Sequence, residues 1–240
     1  MKKIVALFFI LISILSFSQD VLEKYPEEQK PYEGGEIQLF RDIHQIIIDK
    51  NLKPCDNKNE YYNLHILVYP DNSIKYVKDL NPENAIKNKC AFDLSREVAK
   101  YLHGWIPATV DNKKVIAQTG YYMIPSQLFA NYNDGYYPFK NFENASYDGG
   151  MNQFRKKVFQ NINLSRFTFD GTFRLVVTFT IEADGKMSNV ELAESSGLPE
   201  FDKMVISGIK GIRNKWTPAK SFDVPIASNF RLPLAFQSQY

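Results

Sequence analysis

The chain has 240 residues, with 29 Lys and Arg against 27 Asp and Glu, a formal charge of +2. Residues 19–140 carry 15 basic and 17 acidic groups, and residues 141–240 carry 12 and 10. Neither half has the basic surplus that a phosphate backbone demands, so nucleic acid is excluded as an expected partner.

The first element is the leader MKKIVALFFILISILSFS. Lys2 and Lys3 precede an apolar run of 14 residues, 4–17. A membrane span takes about 20 apolar residues. Ser16-Phe17-Ser18 supplies a small-x-small site, so the expectation is a secretory signal at residues 1–18, cleaved before Gln19. No Cys follows the run to carry a lipid. The location expected is therefore the periplasm. About 220 residues would remain, enough for one large domain or two small ones.

After an N-terminal segment, 19–31, a string of elements begins that occurs twice. Tyr32-Glu33-Gly34-Gly35 opens it, and Tyr147-Asp148-Gly149-Gly150 opens it again. Each Gly-Gly is followed by a helical pattern: Ile37, Phe40, Ile43 and Ile47 in the first copy, Met151, Phe154, Val158 and Ile162 in the second. Alternation then predicts strands. Tyr62, Leu64, Ile66 and Val68 form one, and Phe173, Leu175, Val177, Phe179 and Ile181 the other. Asp71-Asn72 and Asp184-Gly185 mark the hairpin turns, with return strands over 74–80 and 187–195. A second helix follows in each copy, through Ala91, Leu94, Val98 and Leu102, and through Phe201, Met204, Val205, Ile209 and Ile212.

Trp105-Ile106-Pro107-Ala108 and Trp216-Thr217-Pro218-Ala219 come next, their tryptophans 111 residues apart. Each Trp is expected to end its helix, stopped by the Pro two residues on, and to dock between helix and sheet. A last strand is expected to run through Pro125 to Phe129, and through Pro233 to Phe236. The fold class is thus α+β: two tandem α-β-β-α-β units, residues 32–129 and 147–240, each a three-stranded antiparallel sheet with two helices on one face. The connector 130–146, with Tyr132, Tyr136, Tyr137, Phe139 and Phe142, is too aromatic for a free linker, and its rings are expected to pack on one or both units.

Several of these segments resemble a family. Tyr-x-Gly-Gly before a helix, "VTFTIEADGKMSNVELAESSG", "FDKMVISGIKGIRNKWTPA" and the closing "FRLPLAF" are similar to the C-terminal domain of TonB proteins. Residues 147–236 carry the resemblance throughout. Residues 32–129 read as a divergent copy that keeps Tyr-x-Gly-Gly, Asp71, Phe92-Asp93 and the Trp motif. It has an Asn-rich stretch, 81–89, where the other has Ser195-Ser196-Gly197.

The resemblance implies a periplasmic domain that contacts outer-membrane transporters and passes on force from an inner-membrane motor. The signal-like start and the lack of a long Pro-rich spacer depart from the full-length pattern. The expectation is an exported binding or adaptor protein whose partner is an envelope protein or peptide, such as an outer-membrane transporter. A TonB-type energy transducer and a peptidoglycan-bound scaffold using Tyr121-Tyr122 or Tyr136-Tyr137 are the alternatives.

No residue set argues for catalysis, a metal or a cofactor. His44, His65 and His103 share no helical spacing and read as packed or solvated. Ser195 and Ser196 have no paired base in their own copy and read as a turn. Gly34-Gly35 and Gly149-Gly150 read as close packing at helix entries. Cys55 and Cys90 lie in an exported chain, where thiols tend to pair; two buried free thiols are the other reading.

The candidate binding residues are Ser228, Asn229, Phe230, Arg231, Leu232, Leu234 and Phe236, on the last strand. A Pro in that strand suits a sheet edge. An edge can take an extended peptide as an added strand, the mode the resemblance also implies. Pro on an edge also serves to prevent pairing.

Overall fold

The computed structural model describes residues 21–79, 81–164, 167, 171–213 and 216–237. The leader with its expected cleavage point, and Leu80 at the expected end of a strand, lie outside them.

Helix α1 (Gly35–Asp49) buries Leu39, Phe40, Ile43 and Ile47 along one stripe. Ile37, expected on that stripe, is 45 % exposed, and Leu39 takes its place. Strand β1 (Tyr62–Val68) turns Tyr62, Leu64, Ile66 and Val68 to the same core, as a period of two requires. Strand β2 (Ile74–Tyr76) pairs with one side of it. Helix α2 (Pro82–Lys87) follows, capped by the Asn81 side chain, which accepts from the Glu83 amide. Helix α3 (Lys89–Ala99) lays Ala91, Leu94 and Val98 on the sheet.

A hairpin of β3 (Ala108–Val110) and β4 (Lys113–Val115) leads into β5 (Ala117–Met123). β5 completes an antiparallel sheet of order β2-β1-β5, with Leu64 opposite Tyr121 and Tyr62 opposite Met123. Each large apolar side chain so buried contributes about 1.5–3 kcal/mol. Helix α4 (Pro125–Ala130) closes the first half.

The connector holds a short 3-10 turn (Pro138–Asn141), β6 (Phe142–Glu143) and β7 (Ser146–Tyr147). Helix α5 (Gly150–Gln160) buries Phe154 and Val158. Strand β8 (Thr172–Ile181) and β9 (Met187–Glu194) form the second hairpin, and α6 (Pro199–Lys210) buries Phe201, Val205 and Ile209. β10 (Trp216–Thr217) pairs with β7, and β11 (Ala219–Ser221) sits between β6 and β12 (Val224–Ile226). β13 (Ser228–Gln237) lies against β8 along its whole length, giving the antiparallel order β13-β8-β9.

The chain is therefore a mixed helix and sheet protein with several small antiparallel sheets. Three expectations are corrected. The last strand of the first half stops at Met123, and Pro125 opens α4 instead of lying in a strand. A proline has no N–H to lose at the first position of a helix, so the residue that suits an edge suits a helix start equally. The order of elements is also fuller than α-β-β-α-β, because the hairpins β3–β4 and β11–β12 precede the last strands. Neither Trp ends a helix: α3 stops at Ala99 and α6 at Lys210. Trp105 instead bridges Tyr32, and Trp216 pairs with Tyr147, across antiparallel contacts.

The halves touch through the connector. Tyr136 is 1 % exposed, with its ring edge-on to Phe40 at 5.4 Å and 5.3 Å from Phe222. Ser221 Oγ donates to the Pro138 carbonyl at 2.7 Å, and the Phe222 amide to that of Asn141 at 2.9 Å. Tyr61 and Ile124, from the first half, pack in the second core, where the Tyr61 hydroxyl accepts from the Ala227 amide at 2.8 Å.

Candidate binding edge

β13 reads SNFRLPLAFQ, and its alternation decides what each side chain does. Leu232, Leu234 and Phe236 are 0, 2 and 3 % exposed and belong to the core. They fix the strand, and their side chains are not open to a partner. Phe230 stacks on Phe179 at 5.3 Å and meets Trp216 at 4.9 Å, so the tryptophan supports this strand directly. Asn229, Arg231, Pro233 and Ala235 are exposed. Arg231 pairs with Glu194 across the sheet face, and Asn229 Oδ1 accepts from Thr180 Oγ1 at 2.9 Å. Both partners of the ion pair are solvent-exposed, so it is worth under about 1 kcal/mol. Ser228 is half-buried beside Ile181. β13 lies at one end of its sheet, and no strand among the described residues pairs with its outer side.

The tryptophans are held alike. Trp105 is 2 % exposed, with Tyr32 edge-on at 5.1 Å; Trp216 is 7 % exposed, with Tyr147 at 5.3 Å. The hairpin turns reach both tryptophan carbonyls. Asn72 Nδ2 donates to the Trp105 carbonyl at 2.8 Å. Gly185 has φ +79°, and a Cβ there would lie 2.6 Å from the Trp216 carbonyl oxygen. Only glycine meets both demands.

Gly34, Gly35, Gly149 and Gly150 have φ between +72° and +80°. Close packing adds to this at the first glycine of each pair, where a Cβ would lie 2.7 Å from Gln38 Cβ at Gly34 and 3.0 Å from Gln153 Cβ at Gly149, whereas one on Gly150 would meet nothing within 4 Å.

Cys55 and Cys90 form a disulfide with Cα atoms 5.8 Å apart. It ties the loop after α1 to the first turn of α3, and Glu60 Oε2 accepts from the neighbouring Ala91 amide at 3.1 Å. His44 Nδ1 lies 2.9 Å from the Leu128 carbonyl, its ring stacked on Tyr132 at 3.7 Å. His65 and His103 are exposed.

Ser195 and Ser196 converge on Asp202, in the first turn of α6. Ser195 Oγ donates to Asp202 Oδ2 at 2.5 Å, and Ser196 donates to Oδ1 through its hydroxyl at 2.6 Å and its amide at 3.1 Å. The signal was present as a variant of the capping box, a side chain in the first turn reaching back to residues before the helix. Burial, with Asp202 5 % exposed, pushes its carboxyl up. The serine hydrogen bonds outweigh burial and hold it below the usual carboxylate range.

A depressed folded-state pKa gives stability that is full above the unfolded value, about 3.9, and is lost as pH falls through the folded value. Replacing Ser195 and Ser196 by Ala is expected to cost about 1–3 kcal/mol at pH 7. Urea denaturation at several pH values should show that cost shrinking as Asp202 becomes protonated below about pH 4.

The second half is thus an α+β unit whose C-terminal strand forms a sheet edge over a packed aromatic core. Residues 173–237, which span β8 to β13, match the family model described as Gram-negative bacterial TonB protein C-terminal. No curated protein and no solved structure matches the chain. Among the described residues, no helix is long and apolar enough to cross a membrane.

Proposed function

We propose that the chain is a non-enzymatic, TonB-like protein-interaction module of the periplasm that takes an extended segment of an envelope protein as an added strand on β13. The observation that carries this reading is the outer side of β13, a ten-residue strand at the sheet end. The family match supports it, because the matched residues end on that strand. An outer-membrane transporter is the partner the match favours. A protein with an exported leader, cleaved before Gln19, has access to such partners. The paired motifs Tyr32/Trp105 and Tyr147/Trp216, each behind a left-handed Gly-Gly, support reading residues 32–129 and 147–240 as copies of one duplicated unit.

Pro233 indicates which backbone groups would serve. A proline opposite Val176 fits where its nitrogen faces the free side, since no ladder bond is then lost. Asn229 and Arg231 lie at even spacings from it, so their N–H groups share that side. Replacing both by Pro is expected to abolish capture of partners by crosslinking in intact cells, while circular dichroism stays native. Undiminished capture by the folded double variant would remove β13 as the site.

A further inference from the structure

The first sheet also ends on its last strand, and there the outer side is filled. Leu22 lies beside β5 as a parallel bridge to Ala117. The Leu22 amide donates to the Ile116 carbonyl at 2.9 Å, and the Gln118 amide donates to the Leu22 carbonyl at 2.8 Å. Three residues on, the Tyr25 hydroxyl donates to the Ile106 carbonyl at 2.8 Å. Four further on, the Gln29 side chain copies a strand pairing. Its Nε2 donates to the Thr109 carbonyl at 2.6 Å, and its Oε1 accepts from the Thr109 amide at 2.8 Å. The Pro31 carbonyl then accepts from the Ile106 amide at 2.9 Å. Backbone groups of residues 106–118 thus receive residues 22–31 at four places, on either side of a turn closed by the Gln29 amide donating to the Pro26 carbonyl at 3.0 Å.

That segment lies outside the buried core. None of residues 21–31 is buried, and the buried residues begin at Tyr32. Tyr25 packs half-buried on the margin of the first core, and the segment is otherwise held by edge hydrogen bonds, a locally weak unit able to open while the rest stays folded. Tyr32 is anchored separately, by Trp105 and by its hydroxyl donating to Asp42 Oδ2 at 2.8 Å. Release of 21–31 therefore stops at a fixed point.

We propose that the outer side of β5, with Ile106 and Thr109, is a second peptide site, which the chain keeps occupied with its own residues 21–31. The peptide it takes carries a leucine, a tyrosine three residues on and a glutamine four residues after that. The leucine supplies backbone alone, whereas the tyrosine and glutamine are read through their side chains. A tethered occupant acts at millimolar effective concentration, so a free peptide of ordinary affinity enters only when the tether is weakened. The site stands independently of β13: neither shares a residue with the other.

The test uses the full chain. In hydrogen exchange of the native protein, the amides of Leu22, Gln118 and Thr109 are expected to exchange at least tenfold faster than those pairing β1 with β5. Leu22→Pro removes one edge donor, and Gln29→Ala removes the contact with Thr109. A fluorescent synthetic peptide spanning residues 21–31 is expected to bind this double variant at least tenfold more tightly than the native chain. The same peptide carrying Gln29→Ala should bind it more weakly. If Gln118 exchanges together with the β1–β5 amides, or if the folded double variant binds the peptide no better than the native chain, the proposal is overturned. Should the double variant fail to fold, the exchange measurement on the native chain decides alone.

Discussion

Replacing Trp216 by Ala is expected to remove about 3–5 kcal/mol of folding stability, read as a lowered midpoint in guanidinium denaturation. Trp216 is where four elements meet. Its ring lies 5.3 Å from Tyr147, 5.1 Å from Phe154 on α5, 5.9 Å from Phe179 on β8 and 4.9 Å from Phe230 on β13. Neighbours drawn from separate elements cannot all collapse into the space an indole leaves, so the cavity cost adds to the lost transfer energy. Set against a usual total of about 5–15 kcal/mol, that is about a fifth or more of the stability of an ordinary domain. Trp216→Phe keeps a ring in place and should cost less than half as much. Because Phe230 rests on the indole, amides along β13 should exchange faster in the Ala variant than those joining β8 to β9.

Removing the disulfide through Cys55→Ser and Cys90→Ser is expected to cost about 3–4 kcal/mol, the chain entropy returned to an unfolded loop of about 35 residues. The loss should appear in urea denaturation as a shift of midpoint matched by adding a thiol reductant to the native protein. The double variant should itself be unmoved by reductant. Two thiols that label in unreduced, denatured native protein would contradict the bond.

Much of the fold was legible where local chemistry has one outcome. Alternation over 62–68 and 173–181 gave strands, and Asp-Asn and Asp-Gly gave their turns, because few residues tolerate the left-handed backbone of Asn72 and Gly185. Pro125 was misread because a missing N–H is tolerated at a strand edge and at a helix start alike. The candidate edge was legible as a strand, but its use of residues was not. Leu232, Leu234 and Phe236 look available in the sequence, and only the packing of α5 and α6 shows that their side chains are spent on the core. Asp202 was missed because its role depends on a loop folding back onto it. Residues 21–31 carry no periodicity, so nothing local announces that Leu22 pairs with β5 and that Tyr25, Gln29 and Pro31 reach Ile106 and Thr109.

Phe222 has a consequence for how the halves behave together. It stands with Asp223 at the tip of the β11–β12 turn, with φ +48° and +68°. A bulky side chain in that backbone costs about 1–2 kcal/mol by itself. The ring is held by docking on Tyr136 against the first core. The strained tip is thus favourable only while the other half is folded beneath it, and Tyr61 makes the converse contact at Ala227. Two units linked in both directions share one cooperative transition rather than melting in turn. A substitution deep in either core should therefore lower the midpoint seen by probes in both.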